Sequence, residues 1–267
     1  MNRIDTCFQN LAASGRKALI PYITCGDPSI DISLALMHGM VEAGVDIIEL
    51  GIPFSDPMAD GPVIQKAHER ALANGVGLLD CLDVVSSFRQ KNDYTPVVLM
   101  GYLNTLEVLG YDAAAEACAR AGVDGLLLVD MPPEETSQVA SCFRDRDLSL
   151  IFLLAPTTTD ERARSICEAA SGYLYYVSLK GVTGSANLDT GAAAERLSAL
   201  RQMTRLPIAV GFGIRDAASA RAVADFADGV IVGSALVNEI EAQQADPVQM
   251  LSRIKSILRE MREQMDA

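Results

Sequence analysis

The sequence predicts an α/β protein folded as a single (β/α)8 TIM barrel over residues 1–267, with extra helices in its second and eighth units. Three observations carry that expectation. Eight short apolar runs recur along the chain, each followed by a longer segment with helical apolar spacing. At 267 residues and 49% hydrophobic content, the chain can bury one large core more readily than two small ones. No Ser/Gly/Pro-rich linker or low-complexity tract interrupts the alternation.

The strands are expected at ALIPYIT (18–24), DIIEL (46–50), VVLMG (97–101), GLLLV (125–129), LSLIFLL (148–154), YLYYVS (173–178), PIAVGF (207–212) and GVIVG (229–233). Strands buried on both faces read as nearly unbroken apolar runs, as these do. The intervening helices include SLALMHGMVEAG, AAAEACARAG, EETSQVASCFRD, DERARSICEAA, GAAAERLSALRQM and DAASARAVADF. Ser29 or Asp31 is positioned to open the first of these, and Asp160 and Asp216 later ones, because a side-chain oxygen there accepts from free backbone N–H groups. Gly44 and Gly122 are the expected C-terminal stops. The second unit holds two helical stretches, near 62–73 and 78–90, parted by Asn74-Gly75, and an amphipathic segment from 247 closes the chain.

Composition narrows the function. With 35 acidic against 22 basic residues the net charge is −13, and no dense Lys/Arg cluster offers a surface to nucleic acid or anionic membrane. The apolar runs fall far short of the ~20 residues of a membrane span, and the first ten residues lack the apolar core of a secretory signal. The six cysteines are scattered with no C-x-x-C pair or nearby histidines, which suits reduced thiols in the cytoplasm and no metal site. His38 and His68 read as ordinary helix positions, with no nucleophilic triad around them.

A barrel places its chemistry at the C-terminal ends of its strands. There Glu49 stands out, an acid in an otherwise apolar strand. It is either a paired core carboxylate or a general acid/base whose proton affinity is raised by apolar neighbours. The loop after it, GIPFSDPMADGP, adds Asp56 and Asp60 in a backbone constrained by prolines and glycines. Either aspartate alone could be a solvated turn former. Together the three acids favour handling of protons or positive charge. An anion belongs across the ring, where Gly211-Phe212-Gly213 and Gly233-Ser234 follow the last two strands and a helix N-terminus near Ser234-Ala235 presents backbone donors. Gly181-Val182-Thr183-Gly184 after the sixth strand is a candidate lid.

PYITCGDPS, ELGIPFSDPMADGPVIQ, GVDGLLLVDMPPEE, YYVSLKGVTG, VGFGI and GSALV resemble, in order and spacing, the signature segments of tryptophan synthase α subunits. The likeness spans essentially the whole chain, and the second segment is its most specific part. It implies retro-aldol cleavage of indole-3-glycerol phosphate to indole and glyceraldehyde 3-phosphate, with Glu49 as general acid/base and Asp60 beside the indole nitrogen. It also implies that Tyr175 lies next to Glu49 and Thr183 meets Asp60 on closure. Tyr22, Met100, Leu127 and Phe212 would border the indole, and Gly184, Gly213, Gly233 and Ser234 would hold the phosphate. The family further implies a pyridoxal-phosphate-dependent β subunit in an α2β2 complex, docking near Pro53 and Asp56, and no metal or cofactor on this chain.

Cys25, Thr105 and Tyr22 differ from commoner family usage without touching the two acids, and the pair Leu179-Lys180 is one of several seen before GVTG. Three other readings stay open at this stage. They are an aldolase using Lys180 as a Schiff-base nucleophile, a non-catalytic phosphate-binding subunit, and a sugar-phosphate isomerase. Glu49 and Asp60 argue against the second, and the apolar pocket argues against the third.

Overall fold

A computed structural model describes residues 2–177, 190–211 and 213–267. Eight parallel strands close in sequence order: β1 (Ala18–Thr24), β2 (Ile48–Gly51), β3 (Val97–Gly101), β4 (Gly125–Leu128), β5 (Ser149–Leu154), β6 (Leu174–Val177), β7 (Ile208–Gly211) and β8 (Gly229–Val232). Each lies inside or within one residue of its expected run. Register follows the ring, with Tyr22 opposite Glu49, Glu49 opposite Val98, Met100 opposite Leu127 and Tyr175 opposite Ala209.

The helices are α1 (Arg3–Ala13), α2 (Ile30–Glu42), α3 (Pro62–Ala73), α4 (Leu78–Arg89), α5 (Leu103–Glu107), α6 (Tyr111–Ala121), α7 (Thr136–Arg144), α8 (Asp160–Ala169), α9 (Thr190–Leu200), α10 (Ala217–Ala224), α11 (Ser234–Ala242) and α12 (Pro247–Asp266). The doubled helices of the second unit (α3, α4) and the eighth (α11, α12) are present. Two helices were not anticipated, α1 ahead of the first strand and the short α5 in the third unit. The Asn2 side chain accepts from the N–H groups of Ile4 and Asp5 to start α1. Ser29 accepts from the Ile32 amide to start α2, and Asp216 caps α10. For α8 the cap is Thr159, with Asp160 as the first helical residue. Gly44 and Gly122 follow α2 and α6 at φ +91 and +84, where a side chain would be strained.

Burial divides the apolar residues between the two sides of the sheet. Inside the barrel, Ile20, Ile47, Val98, Leu127, Ile151, Ala209 and Ile231 pack together, and α1 plugs the lower mouth with Ile4, Phe8 and Leu11. Outside it, the opposite strand faces pack against the helices in one continuous core. Four of the cysteines (Cys25, Cys81, Cys118, Cys167) are buried, and all six are free thiols.

One device recurs at the N-terminal end of every even strand. Asp46, Asp124 and Asp228 each accept a hydrogen bond from the preceding strand, from the amides of Leu19 (2.8 Å), Val97 (2.8 Å) and Ile208 (3.0 Å). Ahead of β6, Ser171 Oγ accepts from Leu150 in the same way (2.8 Å). In return the amides of Asp46, Asp124, Ser171 and Asp228 donate to the carbonyls of Leu19, Val97, Leu150 and Ile208. Donors at the strand entrances are thereby satisfied away from water. Each aspartate is also paired with an arginine: Asp46 with Arg262 (3.0 Å), Asp124 with Arg89 (2.6 Å) and Arg3 (2.9 Å), and Asp228 with Arg201 (2.9 Å).

Asp124 is the most enclosed of the three, with its side chain 2% exposed and that of Arg89 11% exposed. Its loss strands a buried guanidinium and an unpaired strand amide. Asp124→Ala is expected to lower unfolding stability by about 3 kcal/mol or more. Arg201→Ala, at the half-exposed pair, is expected to lower it by about 1 kcal/mol or less. Urea denaturation of both variants checks this, and equal effects would contradict it.

Candidate active site

Glu49 lies in β2 with its side chain turned into the barrel, and it is fully buried. Its Oε1 accepts a 2.6 Å hydrogen bond from the Tyr173 hydroxyl, while Oε2 is buried with no partner among the described residues. Among the described residues no cation sits against it. Burial lifts the carboxyl from its ordinary 4.5 to about 7, opposed by the Tyr173 hydrogen bond. Tyr173 is itself fully buried, and burial followed by the Glu49 charge holds its phenol well above 10, so it remains a donor. Near neutral pH the carboxyl therefore populates both protonation states, as a group that gives and takes a proton requires.

Asp60 arrives from the loop between β2 and α3. That loop is braced by Asp60 N–H to the Pro57 carbonyl (3.0 Å) and Gln65 Nε2 to the Asp60 carbonyl (2.8 Å). The Tyr102 hydroxyl donates to Asp60 Oδ2 at 2.7 Å and accepts from the Ala59 amide at 3.0 Å. The Phe54 ring stacks on Tyr102 with centroids 5.0 Å apart. Burial raises the affinity of Asp60 for its proton and the Tyr102 hydrogen bond lowers it. His68 Nε2 stands 3.6 Å from the same Oδ2.

Two tyrosines flank the acids. Tyr22 is buried, its hydroxyl 3.1 Å from Thr24 Oγ1, and a Cβ on Gly51 would come within 2.2 Å of that hydroxyl. A Cβ on Gly211 would likewise fall 2.2 Å from the Tyr175 hydroxyl. Both glycines clear space for a phenol. Burial first, and then the charges of the two acids, hold the Tyr22 and Tyr175 phenols well above 10, so both stay protonated. Met100 bridges the barrel interior, where Leu127 is fully buried, to the cluster of Tyr22, Ile64 and Val237.

Across the ring Gly213 is exposed at φ +79. Gly233 precedes α11, which opens at the exposed Ser234 without a side-chain cap. On the loop after β2, Asp56 is exposed but Pro53 is buried. Of the two residues assigned to a partner surface, only Asp56 therefore presents its side chain to solvent, while Pro53 shapes the loop from within. Thr183, Gly184, Phe212 and Lys180 lie outside the described residues.

A family model described as tryptophan synthase alpha chain matches residues 8–266. The tryptophan synthase alpha chain of Marinobacter nauticus is 56% identical over 267 residues, covering 100% of this chain and 99% of its own. That of Thioalkalivibrio sulfidiphilus is 57% identical, covering 100% of both. The chain belongs to the tryptophan synthase alpha chain family. Among solved structures, the tryptophan synthase subunit alpha of Legionella pneumophila is 46% identical with a TM-score of 0.91, covering 100% and 99% of the two chains. A chain of M. tuberculosis tryptophan synthase in its aminoacrylate-bound form is 35% identical with a TM-score of 0.88, covering 99% and 100%. As a tryptophan synthase alpha chain, the protein is a lyase of tryptophan biosynthesis that cleaves indole-3-glycerol phosphate to indole and glyceraldehyde 3-phosphate. The isomerase and the purely binding alternatives fall with that assignment.

Sequence reasoning missed Tyr173, Tyr102 and His68, which touch the two carboxylates. Tyr173 sits in an apolar run where an aromatic reads as core. His68 is not an ordinary helix position, because it shares the buried face of α3 with Ile64, Ala67 and Ala71. A histidine four residues after Ile64 on an apolar stripe was the available signal.

The Glu49 carboxyl also has a measurable effect on stability. An unfolded chain loses this proton near 4.5 and the folded chain near 7, so between those values only the fold holds it. Stability therefore falls as pH rises from about 4.5 to 7 and stays reduced above, by up to about 3 kcal/mol. Glu49→Gln, which cannot ionise, is expected to be more stable than the parent at pH 8 and no more stable at pH 4. Thermal melts at the two pH values check this, and a variant destabilised equally at both would contradict it.

Proposed function

We propose that Glu49 is the general acid/base and Asp60 the cation-stabilising carboxylate of indole-3-glycerol phosphate cleavage, in a chain acting as one catalytic domain over residues 1–267. The observation that carries this reading is Glu49 itself, a buried carboxyl with one oxygen held by Tyr173 and the other unpartnered among the described residues. The protonated carboxyl delivers its proton from Oε2 to C3 of the indole, and positive charge develops toward the ring nitrogen. The Asp60 carboxylate faces that nitrogen and stabilises the cation. Glu49, now ionised, takes the proton of the hydroxyl on the adjacent side-chain carbon. The bond from that carbon to C3 breaks, its electrons restore the indole, and the aldehyde leaves as glyceraldehyde 3-phosphate. The carboxyl ends the cycle protonated, having moved one proton from oxygen to carbon.

Tyr22, Met100, Leu127 and Tyr175 would line the ring, joined by Phe212. Gly213, Gly233, Ser234 and Gly184 would hold the phosphate, supported by the uncapped start of α11. Thr183 would meet Asp60 when its loop closes. No cofactor or metal is assigned to this chain, and no group of metal-holding residues occurs among the described residues. We place the reaction in the cytoplasm. No single helix among the described residues is long and apolar enough to cross a membrane.

Glu49→Gln is expected to lower kcat by ~10²- to 10⁴-fold while substrate binding persists. Indole release from indole-3-glycerol phosphate measures it, and a variant keeping more than half the parent rate would remove Glu49 from the mechanism.

The partner is the tryptophan synthase β subunit, the chain expected to carry pyridoxal phosphate in an α2β2 complex. The exposed Asp56 lies four residues before Asp60, and the Ser55 hydroxyl donates to it at 2.6 Å. A protein docking there orders the loop that presents the catalytic acid and so shifts the population toward the complete site. The β subunit is expected to accelerate cleavage, and Asp56→Ala to reduce that acceleration more than it reduces the rate of the isolated chain. Rates with and without the β subunit test this. Separate elution of the two chains at micromolar concentration, with no response of the rate, would overturn it.

A further inference from the structure

We propose that His68 is a positioning residue that fixes the Asp60 carboxylate for the reaction, acting as a neutral imidazole locked in one tautomer by the loop it faces. This rests on the Asp60 role given above. His68 is in α3 with its side chain only 3% exposed. Its Nδ1 accepts a 2.9 Å hydrogen bond from the Phe54 amide. A neutral imidazole has one acceptor and one donor nitrogen, so that bond leaves the proton on Nε2. Nε2 is the atom 3.6 Å from Asp60 Oδ2.

That separation is slightly longer than a hydrogen bond. Catalytic contacts are often long without substrate and tighten in the reacting complex. The Tyr102 hydroxyl already donates to Oδ2, so two neutral donors converge on one oxygen of the carboxylate. Among the described residues none donates to Oδ1, which leaves that oxygen for the substrate. The contacts form a circuit. His68 holds the Phe54 amide, the Phe54 ring stacks on Tyr102, Tyr102 donates to Asp60, and Asp60 faces His68. Loop shape and carboxylate orientation are thus fixed together from a single helix.

The charge state suits the task. Burial lowers the His68 imidazole to about 4, so it stays uncharged over the working range. An imidazolium in its place would cancel the carboxylate charge that stabilises the indole cation. A neutral N–H orients that charge and leaves it available.

The test uses the chain in complex with its β subunit, reading kcat and KM for indole-3-glycerol phosphate. His68→Gln can bring an N–H to the imidazole Nε2 position facing Asp60, whereas His68→Asn reaches only the Phe54 amide. His68→Leu does neither. We expect His68→Leu to lose about ten-fold in kcat with KM changed by less than about two-fold, and His68→Gln to recover more of kcat than His68→Asn. In an Asp60→Asn background, His68→Leu should cost no more than about two-fold. A parent-like kcat for His68→Leu, a His68→Asn as active as His68→Gln, or an undiminished loss in the Asp60→Asn background would each overturn the proposal. If His68→Leu does not fold, the comparison of Gln with Asn decides. Failure of the underlying Asp60 role looks different, because Asp60→Asn would then cleave at the parent rate.

Discussion

The active site depends on a carboxyl buried in the barrel with no cation against it among the described residues. A carboxylate removed from water is strongly disfavoured unless it is paired, and among the described residues Glu49 receives one phenol hydrogen bond and nothing else. The fold therefore keeps its proton until about pH 7. Closure of eight strands is what makes this possible. The ring encloses the interior, α1 fills the lower mouth, and β1, β3 and β6 supply Tyr22, Met100 and Tyr175 as low-polarity walls.

The same chain treats its structural acids in the opposite way. At the lower face Asp46, Asp124 and Asp228 each meet an arginine and a strand amide, so their charges are compensated and hold the barrel closed. Near the upper mouth Asp27 is fully buried, but Arg70 binds it through two 2.8 Å hydrogen bonds. That pair anchors the loop after β1 to α3. Among the described residues Glu49, fully buried, and Asp60, largely enclosed, have neutral neighbours instead: Tyr173 for one, Tyr102 and His68 for the other. Arginine separates the structural carboxylates from the chemical ones.

The architecture was largely legible in the sequence because a parallel strand covered on both faces leaves an unbroken apolar run, and eight such runs appear, each followed by a helical segment. Glu49 was legible for the same reason, as an acid breaking an apolar strand. The helix α1 went unread although Ile4, Phe8 and Leu11 have helical spacing, because its partner is the barrel floor, which no local pattern reveals. The residues that tune the acids were hidden for a related cause. Tyr173 and Tyr102 are distant from Glu49 and Asp60 along the chain, by 124 and 42 positions; closure of the ring brings the first pair together, and pairing of β2 with β3 the second. An aromatic in a core segment shows its ring in the sequence but not what its hydroxyl touches.

The choice of neutral donors follows from the reaction. A guanidinium in the place of Tyr173 would pull the Glu49 carboxyl well below the usual carboxylate range and leave it no proton to deliver. One beside Asp60 would offset the negative charge on which the indole cation relies. A phenol or a neutral imidazole satisfies one carboxylate oxygen and fixes its direction with far less effect on its charge. These donors stay neutral because the same burial acts on them, raising the phenols and lowering the imidazole. Water exclusion thus sets the proton affinity of the acid and the charge state of its supports together. The barrel needs no separate device for each.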